Sequence, residues 1–212
     1  MAKVKGNTRR DKALATRGRI IAAAETEFAA HGYHGATVVD IATRAGVAPQ
    51  TVYFTFNTKA KLMSAVIDHA VMGDEPQLPE TTDWWSAMIA EPSSELALGH
   101  FVRGAGPLLA RASLMSEILR AAALTDDEVR ETHEIHERMR RDAYRKVVEI
   151  LSEKAPLKAG LTTETATDIL FVILGDSLYQ LMTTQLGWTH DRLIEWLDDT
   201  LPGLLFELGA GA

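Results

Sequence analysis

Apolar residues recur at three- and four-residue steps along nearly the whole chain, and alternation of period two is absent. Leu14, Ile20, Ile21, Ala24 and Phe28 predict a helix from about Asp11 to His31, favoured by its alanine-rich filling and stopped at Gly32. Tyr33-His34-Gly35 reads as a turn. A short helix then opens at Thr37, whose hydroxyl can accept from a free backbone N–H; Asp40, three residues on, completes a capping-box-like start. Val38, Ile41 and Ala42 share one face, and Ala45-Gly46 ends the helix because glycine tolerates the left-handed backbone. Val47 plugs the turn. Pro49 stands at the first position of the next helix, where a missing N–H costs nothing. Val52 and Phe56, four apart, face inward; Gln50, Thr51, Phe54 and Thr55 are left outside. Thr58 caps a further helix running to about Met72, striped by Leu62, Ala65, Val66, His69 and Ala70.

Residues 73–83 hold two prolines, a glycine and four acids, and read as a loop and domain boundary. Beyond it every segment is helical in pattern. Trp84 to Met88 begin a short helix. Glu95 to Ala110 form another, expected to break at Gly104-Ala105-Gly106-Pro107, since proline removes an internal hydrogen bond. Ser113 to Ala123 follow as a separate short helix. Thr125 with Glu128 reads as a capping box for a long helix to about Glu153, with apolar positions at Val129, Ile135, Met139, Ala143, Val147 and Ile150. A loop spans 155–161. The last two helices cover about 163–186, apolar nearly all round, and 190–208, leucine-rich with Pro202 inside.

The pair of short helices around Gly46 has the layout of a helix-turn-helix, whose second helix fits a major groove. The run from Val47 to Leu62, with Ile20 to Phe28, Gly32-Tyr33 and Thr37 to Gly46 before it, resembles the signature of the tetracycline-repressor (TetR) family of transcriptional regulators. The likeness covers about residues 14–74 and includes the spacing of Tyr53, Phe56 and Lys59. Gln50 stands where that family often has glycine, and Thr55 where it often has histidine. The resemblance implies an all-α fold: an N-terminal three-helix helix-turn-helix DNA-binding domain (11–72), preceded by a flexible basic arm (1–10), and a C-terminal helical domain for effector binding and dimerisation (84–212). It also implies DNA contacts at Thr37, Ala48, Pro49, Gln50, Thr51, Tyr53, Phe54, Thr55 and Lys59. Lys59, in the first turn of its helix, is expected to clamp a phosphate with the free N–H groups there.

The charge distribution agrees with that division. The 212 residues carry a net charge of −7, yet residues 1–61 hold ten basic and four acidic side chains, +6, which leaves −13 for the rest. A basic head on an acidic body turns one end toward phosphate and keeps the other away. Arg9 and Arg10 of the arm are candidates for phosphate or minor-groove contact. The absence of cysteine excludes disulfides, thiolate metal sites and cysteine nucleophiles. No apolar run approaches membrane-spanning length and no signal-peptide core is present, so a cytoplasmic protein with no membrane partner is expected.

Catalytic chemistry is not expected. No nucleophile elbow, phosphate-cradling glycine loop or repeated carboxylate pair occurs. His133 and His136 are three apart, but no histidine follows a glutamate by three, as a di-iron bundle requires; no metal or cofactor is expected. The resemblance further implies a small-molecule pocket in the body. Candidate lining residues are Trp84, Trp85, Met88, Phe101, Arg103, Met115, Met139, Phe171, Asp176 and Tyr179, although aromatic and methionine side chains more commonly fill helical cores. Their character suggests a hydrophobic effector. The helices of about 163–208 are expected to pair with a second copy, so that the homodimer presents two reading helices to a palindromic double-stranded operator. The expected function is a repressor released by its effector. The alternative is a ligand-independent DNA-binding regulator controlled by a protein partner.

Overall fold

The caps are where sequence chemistry first becomes structure. In the computed structural model, which describes residues 9–73 and 78–207, seven of the helices begin with a side chain that accepts from a backbone N–H of the first turn. Helix α1 runs Arg9–Gly35 with a sharp break in backbone geometry at Gly32 (φ 67°, ψ 177°), so the expected stop survives as a kink rather than an end. Helix α2 is Val38–Ala45, α3 Pro49–Phe56 and α4 Lys59–Met72. A 3₁₀ turn at Pro79–Thr81 leads to α5, Asp83–Ala90. Then come α6 (Ser94–Ala122), α7 (Asp127–Ser152), α8 (Thr163–Ile173), α9 (Asp176–Gln180), a π-turn (Leu181–Gln185) and α10 (His190–Leu205). Among the described residues the only extended pairing is an isolated antiparallel bridge between Leu157 and Phe206. The all-α expectation holds. No helix among them is long and apolar enough to cross a membrane.

Two apolar clusters fill the molecule. The first joins α1 to α4 around Phe28, Ile41, Val52, Phe56 and Leu62, and closes on Met115 and Leu119 of α6 and Val129 of α7. The second lies among α5, α6, α7, α8 and α10, around Met88, Leu98, Phe101, Val147, Leu170 and Leu197. Helix α6 passes through both.

Three expected boundaries differ. The break at Gly104–Pro107 does not occur; α6 is one helix of 29 residues with Pro107 inside it. The glycines there make room for neighbours. A Cβ on Gly104 would sit 2.3 Å from the Trp84 ring, and one on Gly106 2.6 Å from Ile194. They admit α5 and α10 to close range, and the packing holds a helix that Pro107 weakens. The cap of α7 is Asp126, one residue beyond the expected Thr125: its carboxylate accepts from Val129 N at 3.1 Å. Thr125 instead donates to Ala122 O and meets His34 Nε2 at 3.1 Å.

The third difference is in the segment read as one helix over 163–186. It is cut at Leu174–Gly175, where the backbone of Gly175 turns extended (φ −87°, ψ 150°). Side chains from α7 take up the freed carbonyls. Arg140 Nη1 donates to Phe171 O at 3.0 Å, and the buried Tyr144 hydroxyl donates to Leu174 O at 2.8 Å. Burial pushes that phenol up to about 12. A Cβ on Gly175 would lie 3.0 Å from the carbonyls of Phe171 and Val172, a tight approach that glycine relieves. Residues 1–8 of the expected basic arm, 74–77 of the boundary loop and 208–212 of the C-terminal domain lie outside the described residues, while Arg9 and Arg10 belong to the first turn of α1.

Candidate nucleic-acid interface and body cavity

The reading element is built by local chemistry. Thr37 Oγ1 accepts from Asp40 N at 3.1 Å and donates to Asp40 Oδ2 at 2.6 Å, which commits this hydroxyl to the cap of α2. Gly46 takes the left-handed conformation (φ 66°) and its N–H returns to the end of α2. Val47 is half-buried against the first core. Ala48 precedes α3 with no side-chain cap, and Pro49 opens the helix. Val52 and Phe56 are buried and anchor α3 from below. The opposite face stays in solvent: Gln50 is exposed, Tyr53 is 53% exposed and Phe54 93%. Thr51 and Thr55 are half-exposed, and Thr55 Oγ1 donates back to Thr51 O at 2.7 Å. Seven of the nine expected contact residues, Ala48 through Thr55, thus lie on or beside one uncovered helix.

Lys59 is placed differently from its expected role. Its ammonium is turned into the fold, donating to Tyr33 O at 2.9 Å and Ala36 O at 3.2 Å, and it lies 4.3 Å from the centroid of the Tyr33 ring. Burial lowers its pKa. Lys59 therefore ties the end of α1 to the start of α4. Arg44 is likewise engaged, its Nε 2.7 Å from the buried Glu27 carboxylate, and the Arg17 guanidinium lies 4.5 Å from the Phe56 ring centroid. Arg10, Lys12, Arg19 and Lys61 are exposed cations of this end.

Helix α4 connects the reading element to the body through polar contacts. Ser64 Oγ lies 2.9 Å from His136 Nε2 on α7, and Arg111 Nε of α6 donates to Ala70 O at 2.8 Å. Burial lowers the His136 pKa, against the pull of Asp68 and Glu137, and raises that of Asp68.

Of the ten expected effector contacts, the structure brings only Phe171 and Asp176 to a common cavity. It encloses about 370 Å³ between α6, α7, α8 and α9, half open to solvent, and is lined by Ser116, Glu117, Arg120, His133, Glu137, Arg140, Phe171, Val172 and residues 175–178 with Leu181. Its charges are largely paired. Arg120 binds Glu117 at 2.8 Å, which also accepts from Ser177 at 2.5 Å; Arg140 binds Glu137 at 2.9 Å and stacks its guanidinium 3.9 Å from the Phe171 ring centroid. Arg140 Nε is buried with no hydrogen-bond partner. Burial raises the Asp176 pKa although Arg140 pulls it down.

The remaining candidates are elsewhere. Trp84, Trp85 and Phe101 pack edge-on and tilted against one another at 5.9–6.5 Å, and Tyr144 extends the array to Phe171. Met88 and Met115 are buried in separate cores, and Met139 is 62% exposed. Arg103 pairs with Asp198 on α10, and the Tyr179 hydroxyl meets His190 Nδ1 at 3.1 Å. The charged lining had a faint signal in sequence, Glu117/Arg120 and Glu137/Arg140 at i, i+3. That spacing also describes any solvated helix face.

Residues 20–66 match the family described as bacterial regulatory proteins, tetR family. The HTH-type transcriptional regulator TtgR of Pseudomonas putida is 42% identical over 59 residues, which is 28% of this chain and 28% of that protein. The match to this curated relative therefore spans well under a third of its length. Among solved structures, the fatty acid degradation regulator FadR from Bacillus halodurans superposes with a TM-score of 0.70 at 24% identity, over 89% of this chain and 95% of that one. The transcriptional regulator FadR from Bacillus subtilis, in complex with stearoyl-CoA, gives 0.67 at 20% identity over 88% and 96%. At these identities the structural likeness is one of fold.

Proposed function

We propose, from the match of residues 20–66 to the tetR family of bacterial regulatory proteins, a homodimeric repressor that leaves a palindromic operator when its body takes up a small amphipathic effector. One observation carries the reading: the solvent face of α3 is left bare by the rest of the protein while Val52 and Phe56 hold the helix from behind. A bare, rigidly seated helix at the basic end of an acidic protein has the geometry of a major-groove reader.

Pairing through the last helices is the second part of the proposal. Val172, Leu181, Leu186 and Leu204 expose apolar side chains along α8, the π-turn and α10. A second copy over this face would bury them and set two α3 helices about one DNA turn, ~34–36 Å, apart or at a related spacing. The effector is assigned to the cavity, whose wall combines Phe171, Leu178 and Leu181 with two arginines and three carboxylates; a molecule with both an apolar and a polar part suits such a wall. In support, one protein of the same fold was solved with stearoyl-CoA. His133, Glu137 and Arg140 line the cavity from α7, and His136 on the same helix holds Ser64 of α4. A ligand that shifts α7 thereby shifts α4 and the heads. By linkage, operator and effector each weaken the other by the same factor.

The test is binding of the full-length protein to genomic DNA fragments over a salt series. Affinity falling steeply with salt, with enrichment of fragments that share an inverted repeat, is the expected result. Salt-independent or absent binding would overturn the assignment. Operator affinity unchanged across all effectors tried would leave a regulator without this ligand control.

A further inference from the structure

Helix α3 carries no charged side chain from Pro49 to Phe56. This restricts what it can read. Guanine is recognised in the major groove chiefly by bidentate arginine or lysine, adenine by bidentate asparagine or glutamine, and thymine by apolar contact with its 5-methyl group. Arg44 and Lys59, the nearest cations in sequence, are engaged with Glu27 and with the carbonyls of Tyr33 and Ala36. The outward stripe of α3 is Gln50 and, one turn on, Phe54. Phe54 is 93% exposed, the most exposed of the large apolar side chains described. Among the described residues nothing covers that ring, while Val52 and Phe56 on the other face are buried. Thr55 turns its hydroxyl back to Thr51 O, so it offers a methyl group rather than a donor.

Resting on the DNA-binding reading above, we propose that this helix is a dedicated reader of A·T pairs: Gln50 takes adenine N6 and N7, and Phe54 covers the 5-methyl of a thymine in the same half-site. The spacing fits. Residues four apart on a helix are ~6 Å apart along its axis, close to two base-pair steps of ~3.4 Å. Apolar surface left in water by the free protein is then buried on the operator, which gives Phe54 a role in specificity and none in the fold.

The experiment selects duplexes from a random pool with the full-length protein, then measures affinity at fixed salt as each thymine of the selected half-site is replaced by deoxyuridine, which removes only the methyl group. One thymine is expected to matter, with affinity falling about four-fold on demethylation. Phe54→Ala should bind both forms alike, and Phe54→Leu should keep part of the discrimination. Gln50→Ala should relax the preference for adenine at a nearby position, by about five- to 150-fold. Because both side chains are exposed, thermal melts of the variants should match the parent. Indifference of the parent to every thymine methyl overturns the proposal, as does a selected site in which these variants relax a G·C pair; the DNA-binding reading survives either result. Failure to enrich any sequence overturns both.

Discussion

Replacing Lys59 by methionine separates two roles for one side chain. The ammonium donates to two carbonyls at the end of α1 and lies over the Tyr33 ring. Methionine keeps the aliphatic stem and removes the charge and donors. A hydrogen bond from a charged donor contributes ~1.5–3 kcal/mol when well shielded. Lys59 is only partly buried, so water partly re-satisfies the carbonyls and the two bonds together are set at about 2 kcal/mol. The ring contact adds ~0.5–1 kcal/mol. The expected loss is therefore about 2.5–3 kcal/mol, which at ordinary urea sensitivity lowers the unfolding midpoint by about 1 M or slightly more. The melts are compared at one protein concentration, because the proposed pairing would contribute to stability. The second measurement is operator affinity against salt. An internal tie leaves the slope of log K on log[salt] unchanged, whereas loss of one phosphate contact reduces it by ~0.9. A variant with parental stability and a reduced slope would refute the internal role.

Other positions give independent checks. His136 is held below its ordinary range by burial, so the unfolded chain takes up its proton first; stability is full above about pH 6.5 and falls as pH drops from there toward the lowered folded value. His136→Gln should flatten that limb of a stability–pH curve measured by urea melts, and a limb unchanged in the variant would assign it to other groups. Gly104→Ala puts a methyl group where the Trp84 ring stands and should cost ~1–3 kcal/mol in the same melts, with a shifted tryptophan emission; a neutral result would show that α5 moves aside freely. Val172→Glu places a carboxylate on an exposed apolar site of α8 and should yield monomers in sedimentation, with operator affinity lost; intact dimers would move the pairing face elsewhere.

What was legible in the sequence was what local chemistry decides. Thr37, Gly46, Pro49 and Thr58 mark ends that depend on one side chain or one backbone conformation, and the structure has α2, α3 and α4 there. Features that need a distant partner were not legible. Pro107 looks like a break until Trp84 and Ile194 are seen filling the space its glycine neighbours leave. The cut in the 163–186 segment depends on Arg140 and Tyr144, some thirty residues earlier, reaching the carbonyls it exposes. The cavity wall followed the same rule. Most of the aromatic residues expected there pack on one another instead, and much of the lining is ion pairs that resemble any wet helix surface. Lys59 shows the limit of assigning a role by position alone, since spacing does not say which way a flexible side chain turns.

The uninterrupted α6 has a mechanical consequence. Its first half, with Leu98, Phe101 and Val102, is embedded in the body core, and its second half, with Met115, Leu119 and Ala122, in the core beneath the reading element. At ~1.5 Å per residue it is a rod of ~44 Å, long enough for a bend of ~3° at its middle to displace a tip by ~1 Å. Pro107 cannot donate to the carbonyl four residues back, but α5 and α10 pack on the glycines beside it and steady the rod there. A lever gripped at both ends in this way would deliver strain entering at one end to the other as a change of angle.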